Sequence, residues 1–417
     1  MRRRSMGEGF MNQTNKVFLD ILKAALAGEA YAPHEEIPLE QWGQVLRLAQ
    51  LHQLLPVVVD ACYQQPGLAG TPLLASARGN VRQQVFTQTR KTGEFLSLYR
   101  KLREAGVHPL VVKGIICRNL YPQPDQRLSS DEDILIPPEQ FECCHKVMAA
   151  FGMETKGTSK PEHSYEIPYT KEGSPLYIEL HKSLFPPESD AYGELNGFFE
   201  GVFQRATEET IEGTAILTLA PTDHLFYLIC HAFKHFLHGG FGIRQVCDIV
   251  LFARHYGGKI CWERVYENCE SIRAEKFAEA LFAIGRKHLG LDPELPEFWQ
   301  RDADEKPMLE DLLASGIYGG ADMERKHSSN ITLNAVTRQK QGRAEGGGVL
   351  KSLFPSRVNM EGRYPYLKKY PLLLPVAWAS RICRFAVKNA GTDLGAKTVR
   401  LGNERIELLK YYGILDN

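Results

Sequence analysis

The sequence predicts an α+β protein that is mostly helical: a small mixed β-sheet core, preceded by N-terminal helices and followed by a C-terminal helical domain. Three observations predict it. Residues 14–105 and 217–291 repeat apolar side chains at helical spacing. Between them, short apolar runs alternate with Gly- and Pro-rich turns, as buried strands do. The central run joins a Lys-Gly turn to an acidic strand start, Asp131-Glu132-Asp133. The resulting divisions are 1–105, an N-terminal helical region; 106–215, the sheet core; 216–300, a helical bundle; 301–349, a mobile connection; and 350–417, a C-terminal helical tail.

The helices come first. Residues 15–26 place Val17, Phe18, Ile21, Leu22 and Leu26 on one face, and Gly28 ends that helix. Trp42–Leu51 and His52–Tyr63 continue the pattern. Residues 73–105 form a long amphipathic helix carrying Val81, Val85, Phe95, Leu98 and Leu102. These helices are expected to pack behind the sheet. His52, alone on such a face, reads as a structural residue.

The sheet core opens with Leu110–Val112, a short buried strand ended by Lys113-Gly114. A helical turn runs to Leu120 and stops at Tyr121-Pro122. After a polar turn, Asp131-Glu132-Asp133 opens a second apolar run, Ile134–Ile136. Pro138 starts a helix that carries Cys143-Cys144 and ends at Gly152. Met153-Glu154, Tyr165–Tyr169 and Pro175–His181 read as strands, the last two joined by a hairpin turn at Lys171–Ser174.

Composition bounds the function. In 417 residues, 43% are apolar, enough for a sizeable core. Lys plus Arg and Asp plus Glu number 50 each, so no overall field attracts nucleic acid or an anionic membrane. Long nucleic acid is therefore disfavoured as a partner. Nine Cys without CxxC or zinc spacing fit the reduced thiols of a cytoplasmic protein. The basic N-terminus, MRRRSMGEGFMNQ, lacks the apolar segment of a secretory signal. No apolar run reaches the about 18 residues of a transmembrane span.

Chemistry concentrates at 109–136. Side chains alternate along a strand, so Asp131 and Asp133 share a face. Two carboxylates on one rigid edge repel unless a cation sits between them. Mg²⁺ takes such oxygen donors and shares its shell with substrate phosphates. The Gly114 turn and the Lys113 ammonium are placed to meet a phosphate. An Asp-x-Asp by itself is a solvated acidic turn; the Lys-Gly turn, Arg127 and the apolar run after Asp133 favour the metal.

At these residues the sequence resembles the nucleotidyltransferases of the DNA polymerase β type, most closely an uncharacterised bacterial branch. The pattern is an apolar strand at Leu110–Val112, Lys113-Gly114, Tyr121-Pro122, Arg127, Asp131 and Asp133, and an apolar strand at Ile134–Ile136. The resemblance covers nearly the whole chain, most specifically 109–136. It makes 106–215 the catalytic core. It implies two Mg²⁺ ions, replaceable by Mn²⁺, on Asp131, Asp133 and a third carboxylate from a later neighbouring strand. That role falls on Glu179, whose strand puts Tyr177, Glu179 and His181 on one face. Lys113, Gly114, Arg127, Ser130 and His181 are the nucleotide-binding candidates. The plain alternatives are an edge-strand Glu179, a His181 that orients it, and an Arg127 paired to Asp125. Two departures stand out: Ile115 replaces the second small residue of the phosphate turn, and Glu132 is expected to add negative charge near the metals.

In the helical bundle, Pro221-Thr222-Asp223 begins a helix capped by Thr222 or Asp223. His224, His231, His235 and His238 fall in a narrow stripe along it. The stripe either lines the cleft facing the nucleotide or bonds a neighbouring loop; a dedicated metal site lacks the HExxH pattern. The resemblance continues in His231, His235, Arg244 and Asp248 as cleft-lining candidates, the last two spaced as an i,i+4 ion pair. The tail is apolar and aromatic, and 364–388 reads either as core packing or as a contact with a membrane surface or partner.

Three functions follow. The first is Mg²⁺-dependent transfer of a nucleoside monophosphate from a nucleoside triphosphate such as ATP to a small molecule, peptide or protein. The second is a non-catalytic module that keeps the fold and binds nucleotide or a partner. The third is a hydrolase built on a His-bound metal.

Overall fold

The computed structural model describes residues 12–156, 164–291, 295–301, 303–316, 323–340, 357, 360, 364–388 and 394–416. Residues 1–11 of the basic N-terminal segment therefore lie outside the described residues. Helices α1 (Gln13–Leu26), α2 (Leu39–Leu51), α3 (Leu55–Cys62) and α4 (Pro72–Glu104) come first. The expected face of α1 is buried at Val17, Phe18, Ile21, Leu22 and Leu26. Asn12 caps that helix by accepting from the Asn15 N–H at 2.8 Å. His52 is buried with its ring stacked on Phe18.

The sheet contains β1 (Leu110–Val111), β2 (Glu132–Leu135), β3 (Glu154–Thr155), β4 (Glu166–Thr170) and β5 (Tyr177–His181) in the order β1-β2-β5-β4-β3. Strands β2 and β5 are parallel, and every other pairing in this sheet is antiparallel. The fold is thus α+β with a small mixed sheet. Between β1 and β2 lies the one-turn helix α5 (Ile115–Arg118); α6 (Phe141–Ala150) follows β2 and carries Cys143 and Cys144. A second hairpin, β6 (Thr207–Ile211) and β7 (Thr214–Thr218), turns at Glu212-Gly213, both at positive φ. It extends the sheet region beyond what the apolar pattern predicts, because its β6 face is largely Thr and Glu.

The C-terminal helices are α7 (Pro221–His238), α8 (Ile243–Tyr256), α9 (Trp262–Ser271), α10 (Glu275–His288), α11 (Lys306–Ser315) and α12 (Met323–Lys340), followed by Leu374–Lys388 and Leu394–Tyr411. The expected cap of α7 is not used. Asp223 instead takes Arg205 at 2.9 Å and Arg264 at 3.2 Å, and Thr222 Oγ1 accepts from the Cys261 N–H. Helices α11 and α12 stand where the sequence suggests an irregular connection. Thr332 donates to the Leu237 carbonyl, and the buried Arg405 pairs with Asp311 at 2.9 Å, so both helices are fastened to their neighbours.

The apolar side chains form two large cores. One covers the sheet with Phe95–Leu102 of α4 and with α6. The other joins α1–α3 to α7–α11. This corrects the expected placement of the N-terminal helices: the back of the sheet is taken by α4 and α6, so α1–α3 pack on the C-terminal bundle instead.

Candidate active site

The site is built on the parallel pair β2–β5. Their register sets Asp133 beside Glu179 and Leu135 beside His181. In-register neighbours of a parallel pair point to the same face. Ile178 and Leu180 point into the core, leaving Glu179 and His181 on the face of Asp133. His181 Nε2 lies 3.3 Å from Asp133 Oδ1 and 3.9 Å from Glu179 Oε2. Among the described residues, Asp133, Glu179 and His181 are the group whose donor atoms all lie within 4.8 Å of one another.

That donor set fits a divalent cation. Adjacent ligands at about 2.1 Å from an octahedral ion stand about 3 Å apart, close to the Asp133–His181 separation. Asp131 lies just before β2, half-buried and outside this group. Its charge still acts on Glu179. Burial first, then Asp133, Asp131 and Glu166, push the Glu179 carboxyl up to about 8. Asp133 goes the other way. Although burial alone raises it, the nearby Lys113 ammonium and His181 hold it well below the usual carboxylate range.

Lys113 is buried at the end of β1. Its Nζ lies 2.9 Å from Asp133 Oδ2 and 3.2 Å from His231 Nε2. It is therefore in the site, engaged with an acid. Gly114 has φ +59 and ψ −113, and a Cβ there would meet Glu132 Oε2 at 1.9 Å. The turn is shaped around Glu132. That carboxylate accepts from the Ile115 N–H at 2.7 Å and pairs with the buried Arg118 at 2.7 Å. Strand alternation sends Glu132 to the face opposite Asp133. The expectation that Glu132 adds charge near the metals is thus overturned.

Arg127 also departs from expectation. It is buried, and Asp248 of α8 takes it with two bonds, at 3.1 and 2.5 Å. Tyr121 donates to the same carboxylate at 2.9 Å. Asp125, its suggested partner, accepts from Thr89 and Thr92 of α4. Nor does Arg244 pair with Asp248: it donates to Gln53 at 2.6 Å and to the Leu128 carbonyl. Arg244 and Asp248 therefore clasp the loop before Asp131. Helix α4 holds the other side of that loop, with Gln88 and Lys91 bonded to the Ser129 backbone. Ser130 is exposed next to Asp131.

The four His of α7 divide in role. His224 is buried and donates from Nε2 to the Val112 carbonyl at 2.8 Å. Its pKa is pushed down to about 4 by burial. His238 bonds Tyr192 at 2.6 Å. His231 reaches Lys113, and His235 stands 3.3 Å from His231. No stripe His belongs to a three-donor metal group among the described residues.

Two side chains near the acids escaped the sequence reading. Glu166 faces His181 across β4–β5, with Oε2 4.0 Å from Nδ1. Counting outward from a turn at Lys171–Ser174 sets Glu166 opposite Glu179; the connection is two residues longer, with Thr170 opposite Tyr177, and this brings Glu166 to His181. Half-buried Lys234 interacts with Glu166, Asp133 and Glu179, and burial lowers its pKa. Its signal was its place one turn after His231 on the same helix.

The sequence profile of an uncharacterised nucleotidyltransferase family matches residues 38–290. The chain belongs to that family. No curated protein matches the chain. The crystal structure of an antigenic nucleotidyltransferase-like protein from Paracoccidioides brasiliensis shares 15% identity, over 42% of this chain and 77% of that one. The TM-score between the two structures is 0.28.

Proposed function

We propose that the chain is a divalent-metal-dependent nucleotidyltransferase of the polymerase β type, moving a nucleoside monophosphate from a nucleoside triphosphate to a small-molecule, peptide or protein acceptor. The observation that carries this is the in-register meeting of Asp133 and Glu179 on parallel strands, with His181 closing the group. Asp133, Glu179 and His181 would hold the ion, with Asp131 at its edge. A bound Mg²⁺ or Mn²⁺ supplies positive charge against the triphosphate. In the reaction an acceptor oxygen attacks the α-phosphorus, the bond to the bridging oxygen breaks, and pyrophosphate leaves. Glu179, less buried than Asp133 and on the same face, is the carboxylate placed to take the acceptor proton. Lys113 and Lys234 are the cations closest to hand for phosphate. The balanced charge of the chain favours a small or protein acceptor over long nucleic acid.

One observation favours a second reading, a nucleotide-binding module without transfer. Arg127, expected at the nucleotide, is already bonded to Asp248, and in the Gly114 turn expected at phosphate the Ile115 N–H is bonded to Glu132. Calorimetry with ATP, GTP, CTP and UTP plus Mg²⁺ or Mn²⁺, followed by a pyrophosphate-release assay against candidate acceptors, separates the two. Transfer predicts binding that is lost in Asp133→Ala and pyrophosphate release that falls by about 10²-fold or more in Glu179→Gln. Binding without release supports the module. No binding of any triphosphate would sink both.

A further inference from the structure

We propose that the turn and helix at 364–388 form a docking element for an anionic membrane surface. Among the described residues ten large apolar side chains are exposed, and five of them fall between Tyr366 and Val376. Leu372 is 93% exposed and Val376 58%. A contiguous patch of this kind is uncommon on a soluble surface without a partner.

The patch is held out by its own support. Pro365, Pro371 and Pro375 break the backbone into two short 3-10 turns, Pro365–Lys368 and Pro371–Leu373, before the helix begins. Met360, Tyr364, Leu367 and Ala377 form a small separate core beneath them. One set of side chains thus packs inward and fixes the turns, while Tyr370, Leu372, Leu373 and Val376 project.

Charge identifies the occupant. Between residues 362 and 392 the sequence carries six Lys or Arg and no Asp or Glu, although the chain as a whole is balanced. Lys369 is exposed and lies 5.5 Å over the Tyr370 ring. Projecting leucines, interfacial tyrosines and a basic segment are what an anionic bilayer surface takes up. A second copy of this chain would set basic residue against basic residue. A helix-in-groove partner would need the apolar residues along one helical face, whereas most of them sit on the turns before the helix. No helix among the described residues is long and apolar enough to cross a membrane, so the contact is with the surface.

The test is co-sedimentation of the full chain with phosphatidylcholine vesicles, with and without phosphatidylserine. Binding is expected only with phosphatidylserine, weakening as salt rises. Leu372→Asp/Leu373→Asp should reduce it about tenfold or more, and Lys368→Glu/Lys369→Glu similarly. Lys369, Leu372 and Leu373 are exposed, and circular dichroism checks that each variant is folded. The proposal is overturned by no binding to anionic vesicles or by binding that both variants retain. It is equally overturned if sedimentation velocity shows a dimer that Leu372→Asp/Leu373→Asp dissociates. It does not depend on nucleotidyl transfer, which is read separately.

Discussion

At Gly114 a single hydrogen atom decides how the site is assembled. Glu132 fills the space a side chain would need, and its bonds to the Ile115 N–H and Arg118 fix the turn that carries Lys113 toward Asp133. Gly114→Ala is expected to cost more than about 3 kcal/mol, adding a clash to a backbone that L-residues avoid. Gly106 offers the control. It also has positive φ, +79, but nothing lies within 4 Å of its missing Cβ. Gly106→Ala should cost only about 1 kcal/mol. Urea denaturation of both variants checks the contrast, and equal costs would mean that the Glu132 contact is dispensable. Residue chemistry of this kind was half legible. Alternation along the strands gives Asp133, Glu179 and His181 one face, and it equally dictates that Glu132 point away. What alternation cannot supply is the partner. Arg118 meets Glu132 only because a one-turn helix folds back, and Asp248 meets Arg127 from 121 residues away.

Elements tell a similar story at larger spacing. Long helices with dense apolar faces, α1, α4, α7 and α8, are readable because many residues vote for one period. The hairpin β6–β7 and helix α12 are not, since Thr, Glu and other polar side chains dominate both and tertiary contacts stabilise them. The loop from Tyr121 to Ser130 is the element on which the site depends most, for it delivers Asp131 to the mouth of β2. It is held on one side by α4 and on the other by α8, chiefly through Arg127 and Asp248. Asp248→Asn leaves Arg127 buried and uncompensated, and should cost about 3–5 kcal/mol. Replacing both partners with apolar residues, Arg127→Met/Asp248→Leu, should recover much of that loss. A double-mutant cycle by urea denaturation measures it. If the double variant is as unstable as the single one, the clasp contributes through geometry that apolar packing cannot replace.

Across the whole molecule, α1–α3 and α7–α11 share one core, and the sheet shares another with α4 and α6. Catalysis of the proposed kind needs the two held in fixed relation, because the acids stand on the sheet while His231 and Lys234 stand on α7. His224 is a tie between them: it lies on α7 and donates to the Val112 carbonyl at the end of β1. Burial keeps it neutral, with its pKa pushed down to about 4 from the ordinary 6.5. The unfolded chain therefore takes up a proton at His224 below pH 6.5, which the folded chain refuses until about pH 4. Stability is unaffected by this residue above 6.5, falls as pH drops from 6.5 toward 4, and levels off below. The slope approaches about 1.4 kcal/mol per pH unit for one such group. His52 and His238, also pushed down to about 4, act in the same direction. Between pH 6.5 and 5, His224 alone should remove about 1.6 kcal/mol. His224→Gln keeps a donor for Val112 but cannot titrate, so its urea midpoint should fall less steeply over that interval. An unchanged slope would show that His224 accepts its proton without loosening the sheet from α7.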